Sequence, residues 1–262
     1  MLFRSYGGQG LPYTLACVVN EFSAAANMAF TMYPGLSASA IAAITEHASD
    51  ALKETYLPKM ISGQWAGTMN LTEPHCGTDL GLLKTKAAPN ADGSYAITGQ
   101  KIFISAGEQD LSENIIHLVL ARIEGAPAGT RGISLFIVPK FLLDDAGNPG
   151  ARNDVRCASI EHKLGIHGSP TAVMLYGEKE GAVGYLVGEE NRGLEYMFTM
   201  MNNARHAVGL EGVAVGERAY QKAREFALER VQGKPQGFQG QGNATIVEHP
   251  DVKRMLLSMK SS

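Results

Sequence analysis

The chain has 262 residues, a formal net charge of −3, 45% apolar residues and 19% charged residues. That balance fits a folded globular chain and excludes a disordered tail or a basic nucleic-acid-binding domain. Neither a basic tract nor a long uncharged apolar run stands out, so neither a polyanionic partner nor a membrane span is expected. Cys17, Cys76 and Cys157 are far apart and form no redox or metal motif. They suit a reducing compartment, and a cytoplasmic location is the expectation. The seven His are scattered without ligand spacing, so no metal is expected. No signal-peptide pattern is read ahead of the first structured stretch.

Met1 to Ser5 shows no cap and no pattern, and Tyr6 to Pro12 is a turn-rich loop. Tyr13 to Tyr33 reads as a helix that is apolar almost all round (Leu15, Val18, Val19, Phe22, Met28), which predicts burial between other helices. Pro34-Gly35 is expected to end it. Leu36 to Thr45 reads as a second, small-residue helix. Asp50 to Ile61 reads as a third, with Asp50 as N-cap and a stripe of Leu52, Tyr56, Leu57 and Met60. Pro58 within it predicts a kink or an early end.

From Trp65 the period changes to two. Leu83 to Ala88 and Ser94 to Thr98 flank a hairpin turn at Pro89 to Gly93. Further strands are expected at Lys101 to Ser105, Ile115 to Arg122, Gly132 to Val138, Asp154 to Ile160, Thr171 to Tyr176 and Gly184 to Val187. Short strands between turn residues predict a sandwich or small barrel. Phe141 to Asn153 is a polar excursion without calcium-loop spacing. Leu194 to Val231 reads as one long helix with Gly209, Gly212 and Gly216 on one face. An interior helical Gly costs about 1 kcal/mol, so a close neighbour is expected there. Gly233 to Gly242 is a flexible loop, and Val247 to Lys260 opens another helix. The fold class is therefore α+β. An α-helical segment spans 1–64, a central antiparallel β-barrel or sandwich 65–188, and the start of an α-helical bundle 189–262.

The chemistry centres on Met69 to Asp79, where a strand-like run ends in a polar turn. Pro74 fixes φ, Gly77 opens unusual angles, and Thr72, Thr78 and Asp79 add short polar groups. Such a strand end can present N–H groups and hydroxyls to a flat, heteroatom-rich ligand; an ordinary surface turn has the same composition. Thr72-Glu73-Pro74 followed by Gly77-Thr78-Asp79 resembles the first signature of the acyl-CoA dehydrogenase family, with Thr78 for the usual Ser. The resemblance implies that Met69, Leu71 and Thr72 hold the flavin of FAD and that Thr78 meets the acyl-CoA. Gly99 to Ser105 resembles the family's second flavin segment, with Phe103 for Trp and Ser105 for Thr. By that resemblance Phe103, Ile104 and Ser105 contact the flavin. Taken alone, the same stretch fits a barrel strand with Phe103 in the core equally well.

Asn202 to Arg205 and Glu229-Arg230 resemble the long helix of the family's C-terminal domain. The resemblance implies Asn202 and Arg205 near the CoA pantetheine, and Arg230 at an FAD pyrophosphate across a subunit interface. A guanidinium suits phosphate because it is always charged and forks onto two oxygens. His206 is read as a packing or hydrogen-bonded residue. The Tyr6 to Pro12 loop resembles one well inside the family's N-terminal domain, which implies a chain that begins partway through that domain, with residues 1–5 outside it. His162 to Pro170 and Val187 to Gly193 most resemble the subfamily containing 3-methylthiopropanoyl-CoA dehydrogenase.

What the resemblance implies is FAD-dependent α,β-dehydrogenation of an acyl-CoA thioester, with electrons passed to an electron-transfer flavoprotein, in a homodimer or homotetramer. The family's catalytic Glu lies beyond this stretch. Glu73, Glu195, Glu211 and Glu248 are read as turn, helix or capping carboxylates, and the 262-residue chain alone is expected to be inactive. Two alternatives stand beside this reading: an acyl-CoA oxidase, and a non-catalytic flavin- or CoA-binding scaffold.

Overall fold

A computed structural model describes residues 4–261. Two helices come first, α1 (Tyr13–His47) and α2 (Asp50–Ile61). Ten strands follow: β1 (Trp65–Asn70), β2 (Lys86–Pro89), β3 (Tyr95–Ser105), β4 (Asn114–Ile123), β5 (Ile133–Pro139), β6 (Phe141–Leu143), β7 (Pro149–Arg152), β8 (Val155–Ile160), β9 (Thr171–Tyr176) and β10 (Ala182–Leu186). The chain then runs into α3 (Gly193–Glu229) and α4 (Pro250–Ser261).

β4, β5, β10 and β3 pair antiparallel in that order. β2 closes the ring, antiparallel to β3 and parallel to β4. β1 adds to β4, also parallel, while β9 and β8 extend the other edge from β3. Of the two expected forms, barrel or sandwich, the sheet takes the closed barrel, and the β2–β4 and β1–β4 pairings are parallel where an antiparallel sheet was expected. The polar excursion forms a small hairpin, β6 with β7, which Lys59 ties to α2 through Gly147 O and Asn148 Oδ1.

Alternation explains the two cores. β4 and β5 read as nearly continuous apolar runs because both of their faces are covered. Leu118, Leu120, Leu135 and Ile137 face the helices, against Ile44, Leu57, Trp65, Met197 and Met200. Val119, Ala121, Phe136 and Val138 face the barrel interior with Ile97, Ile104, Met174 and Tyr176. The barrel wall is therefore also the floor on which the helices sit. Gly193 lets α3 start directly on β5, since an added Cβ would lie 2.1 Å from the Ser134 carbonyl carbon.

Several helical expectations are corrected. Pro34 does not end the first helix; α1 runs on to His47, and its break is at Asn27 (φ −156°, ψ 91°). The Asn27 side chain accepts from the Phe30 N–H at 3.2 Å and so starts the second half, which carries Pro34 in its interior. Pro58 likewise stays inside α2, whose cap is Ser49 rather than Asp50. Leu15, Val18, Val19 and Phe22 are exposed rather than buried between helices. The face of Gly209, Gly212 and Gly216 is open, with nothing within 4 Å of an added Cβ. By length and composition α1 is the one helix among the described residues that could cross a membrane. It packs here on α3, β1 and α2.

Candidate functional site

The turn after β1 and the end of β3 lie side by side. Ile102 N–H donates to Thr72 O at 2.9 Å. Lys101, completely buried, donates from Nζ to Leu71 O at 3.0 Å and to Glu73 Oε1 at 2.8 Å. The Glu73 carboxylate also accepts from Lys84 N–H, Thr85 N–H and Thr85 Oγ1. Burial alone would raise this carboxyl, but Lys101, Thr85 and Lys84 outweigh it and hold it below the usual carboxylate range. Burial in turn pulls the Lys101 ammonium down to about 8, against the opposing pull of Glu73. Glu73, His75 and Cys76 lie close enough to share a cation, but Lys101 already neutralises the one carboxylate among them.

One residue further along β3 the strand breaks register with β9, between Lys101 and Ile104. Phe103 sits in this bulge with φ 60°, a left-handed conformation that an aromatic residue seldom adopts. The residue is 59% exposed instead of joining the core. Ile104, next to it, turns fully into the barrel and can offer a ligand only its main chain. Met69 and Leu71 are half-buried against the helical core. The hydroxyls of Thr72, Thr78 and Ser105 make no hydrogen bond to any other described residue, whereas those of Thr68 and Thr85 are engaged. The floor beneath is a buried polar chain. Tyr176 OH donates to Asn70, Asn70 donates to Thr68 Oγ1, and Thr68 meets His117 Nδ1 at 2.7 Å.

On α3, Arg205 donates to Asn202 Oδ1 at 3.1 Å and lies over the Phe198 ring. Both polar side chains are exposed. Arg230 caps the far end of α3, about 38 Å from Arg205 at 1.5 Å per residue, and among the described residues its guanidinium bonds only Gln232. The structure thus brings Thr72 beside the Phe103 segment and joins Asn202 to Arg205. It does not bring Arg230 to either group.

Two protein-family models match the chain. The model described as acyl-CoA dehydrogenase, N-terminal domain, matches residues 2–64. That described as acyl-CoA dehydrogenase, middle domain, matches residues 68–178. The chain belongs to the acyl-CoA dehydrogenase family. The 3-methylmercaptopropionyl-CoA dehydrogenase of Ruegeria pomeroyi is 53% identical over 256 residues, 98% of this chain and 43% of the relative. The chain therefore spans less than half of that relative's length. Butyryl-CoA dehydrogenase from Megasphaera elsdenii superposes with a TM-score of 0.79 at 25% identity, covering 98% of this chain and 62% of that one. An acyl-CoA dehydrogenase from Bacillus anthracis complexed with FAD gives 0.75 at 26% identity, covering 98% and 39%. The N-terminal match begins at residue 2, so residues 2–5, read from the sequence as outside the pattern, fall within it.

Sequence reasoning on this acyl-CoA dehydrogenase chain missed two features. Lys101 and Glu73 sit inside the quoted motifs; a lysine within a β-strand run was the available signal. Tyr13 OH lies 3.1 Å from His206 Nδ1 and donates to Asn203 Oδ1, at the wall of a cavity of about 500 Å³. The cavity runs between α1, the end of α2, the start of β1 and α3, and neither Thr72, Phe103 nor Ser105 lines it. His206 is thus the hydrogen-bonded residue expected. Of the four carboxylates set aside, Glu73, Glu195 and Glu248 are paired with Lys101, Arg192 and Lys253. Glu211 is buried, and burial pushes its carboxyl up.

Proposed function

We propose that this chain is the flavin-binding half of an acyl-CoA dehydrogenase that oxidises an acyl-CoA thioester to the trans-2-enoyl-CoA and passes electrons to an electron-transfer flavoprotein. The observation that carries the reading is Phe103, whose ring is kept exposed at a backbone cost beside the bare Thr72 turn. Strained residues of this kind cluster at ligand clamps. FAD, when bound, supplies the acceptor for the substrate's β-hydrogen as hydride. Phe103 offers it a flat apolar face. Thr72 and Ser105 offer free hydroxyls, and Met69, Leu71 and Ile104 offer main-chain groups. The fit is chemical: an aromatic face and uncommitted donors at one strand end. It is also the cofactor named for the Bacillus anthracis relative.

Thr78, Asn202 and Arg205 would meet the acyl-CoA. Arg205, already oriented by Asn202, holds a fixed positive charge toward the thioester chain. Arg230 stands too far along α3 to share this site and suits an FAD pyrophosphate of a second subunit, in a homodimer or homotetramer. No carboxylate of this chain is assigned to the α-proton, since Glu73, Glu195 and Glu248 are already paired with cations, and no turnover is expected from these residues by themselves.

The test is the visible spectrum of the full protein after FAD is added, followed by anaerobic titration with short acyl-CoA thioesters. Bleaching of the flavin band supports dehydrogenation. Oxygen consumption without dye reduction would mark an oxidase instead, and a protein that stays colourless would leave only the scaffold reading.

A further inference from the structure

Three consecutive residues of the turn are held by two consecutive residues of β3. Lys101 Nζ reaches the carbonyl of Leu71 and the carboxylate of Glu73, and the Ile102 N–H takes the carbonyl of Thr72 between them. Phe103 follows at once. Glu73 is tied on its other side to Lys84 and Thr85 at the entry to β2, so the staple is anchored to the barrel. None of these contacts uses Phe103, Ser105 or the Thr72 hydroxyl.

A buried ion pair is a poor source of stability, because the cost of desolvating two charges rivals their attraction. An apolar pair of similar volume would hold a barrel as well. What it would not supply is the three-point geometry: a single ammonium, fully enclosed, can satisfy both acceptors only at one register of the turn against the strand. We infer that the Lys101–Glu73 pair is a positioning device, fixing the turn that carries Thr72 against the strand that carries Phe103 so that the two form one slot. The inference rests on the flavin reading of that slot, and it assigns a role to two residues that would touch neither cofactor nor substrate.

The test uses the full protein reconstituted with FAD, with two readouts: the FAD dissociation constant and amide hydrogen exchange at Ile102. The single variant Lys101→Met leaves a bare buried carboxylate and is expected to lower both the melting temperature and FAD affinity. The double variant Glu73→Gln/Lys101→Met removes both charges and is expected to recover most of the melting temperature. Its FAD affinity should nevertheless stay weaker by about tenfold or more, and Ile102 should exchange about tenfold faster. A double variant with recovered melting, wild-type affinity and wild-type exchange overturns the inference and leaves the flavin reading standing. A wild-type protein that takes up no FAD overturns both. If the double variant does not fold, Lys101→Arg is measured in the same way, since it keeps the charge and changes the geometry. Weaker FAD binding with faster Ile102 exchange supports the inference, and no change in either overturns it.

Discussion

The Ile102 N–H donates to the Thr72 carbonyl at 2.9 Å, and the residue that follows Ile102 is the one that leaves regular strand geometry. The pairing pins one wall of the slot, and the bulge throws the other wall outward. Phe103→Gly separates the two effects. It relieves a left-handed conformation costing about 1 kcal/mol and adds unfolded-state entropy of similar size. Stability without ligand should therefore change little. FAD affinity should fall about tenfold, from the loss of a ring contact of about 1–1.5 kcal/mol, while Phe103→Trp should keep it. A fluorescence titration with FAD decides this; undiminished affinity in the glycine variant would remove the ring from the site.

His117 supplies a pH test. Burial drives its imidazole down to about 3, so it stays neutral in the barrel. The unfolded chain, with an ordinary value of about 6.5, takes up the proton first as pH falls. This contribution is complete above about pH 6.5 and is lost progressively toward about 3, on the order of a few kcal/mol over the whole span. Glu73 and Glu108 are also held low, so their share disappears only at more acid pH. Urea midpoints measured between about pH 6.5 and 5 should drop for the wild type and stay flatter for His117→Gln. Parallel curves would show that His117 is not the group responsible.

The sequence was legible where one local rule governed. Most strands from Trp65 to Leu186 were legible from apolar runs and turn residues to within a few residues, but the two expected at Ser94 to Thr98 and Lys101 to Ser105 are one strand, β3, and the polar excursion carries the unexpected hairpin β6–β7. The Phe103 stretch was ambiguous between core and platform because a bulge is a register decision made by two strands, not one. Pro34 misled for a related reason. Asn27 can cap a new helical half, which moves the break seven residues earlier than the proline suggests. The apolar surface of α1 was read as buried, and a neighbour was expected on the Gly209, Gly212 and Gly216 face of α3, because composition registers apolar and small residues but not what covers them. The Lys101–Glu73 contact was out of reach, since it depends on how a turn and a strand 28 residues apart meet in space.

Arg205 tests the substrate side independently of the flavin. Its guanidinium is exposed, hydrogen-bonded to Asn202 and stacked over Phe198, so it is oriented but not consumed by the fold. Arg205→Gln should leave the FAD spectrum unchanged. It should weaken acyl-CoA binding by about 1.5–3 kcal/mol, the range for a hydrogen bond to a charged group. Calorimetric titration of the flavin-loaded protein with an acyl-CoA measures this. Equal affinity would place the CoA elsewhere.

Two glycines of α3 should respond to the same substitution with opposite signs. At Gly193 an added methyl would fall 2.1 Å from the Ser134 carbonyl carbon, against backbone that cannot rotate away. Gly193→Ala should therefore lift α3 from β5 and cost about 1–3 kcal/mol or more, as overpacking does. At Gly212 nothing lies within 4 Å, and the residue is well inside the helix. Gly212→Ala in the 262-residue chain should gain about 1 kcal/mol from helix propensity alone. Urea denaturation of both variants gives the signs directly. If Gly212→Ala instead destabilises the full-length protein, another element packs on that face there, and the glycines at 209, 212 and 216 admit it.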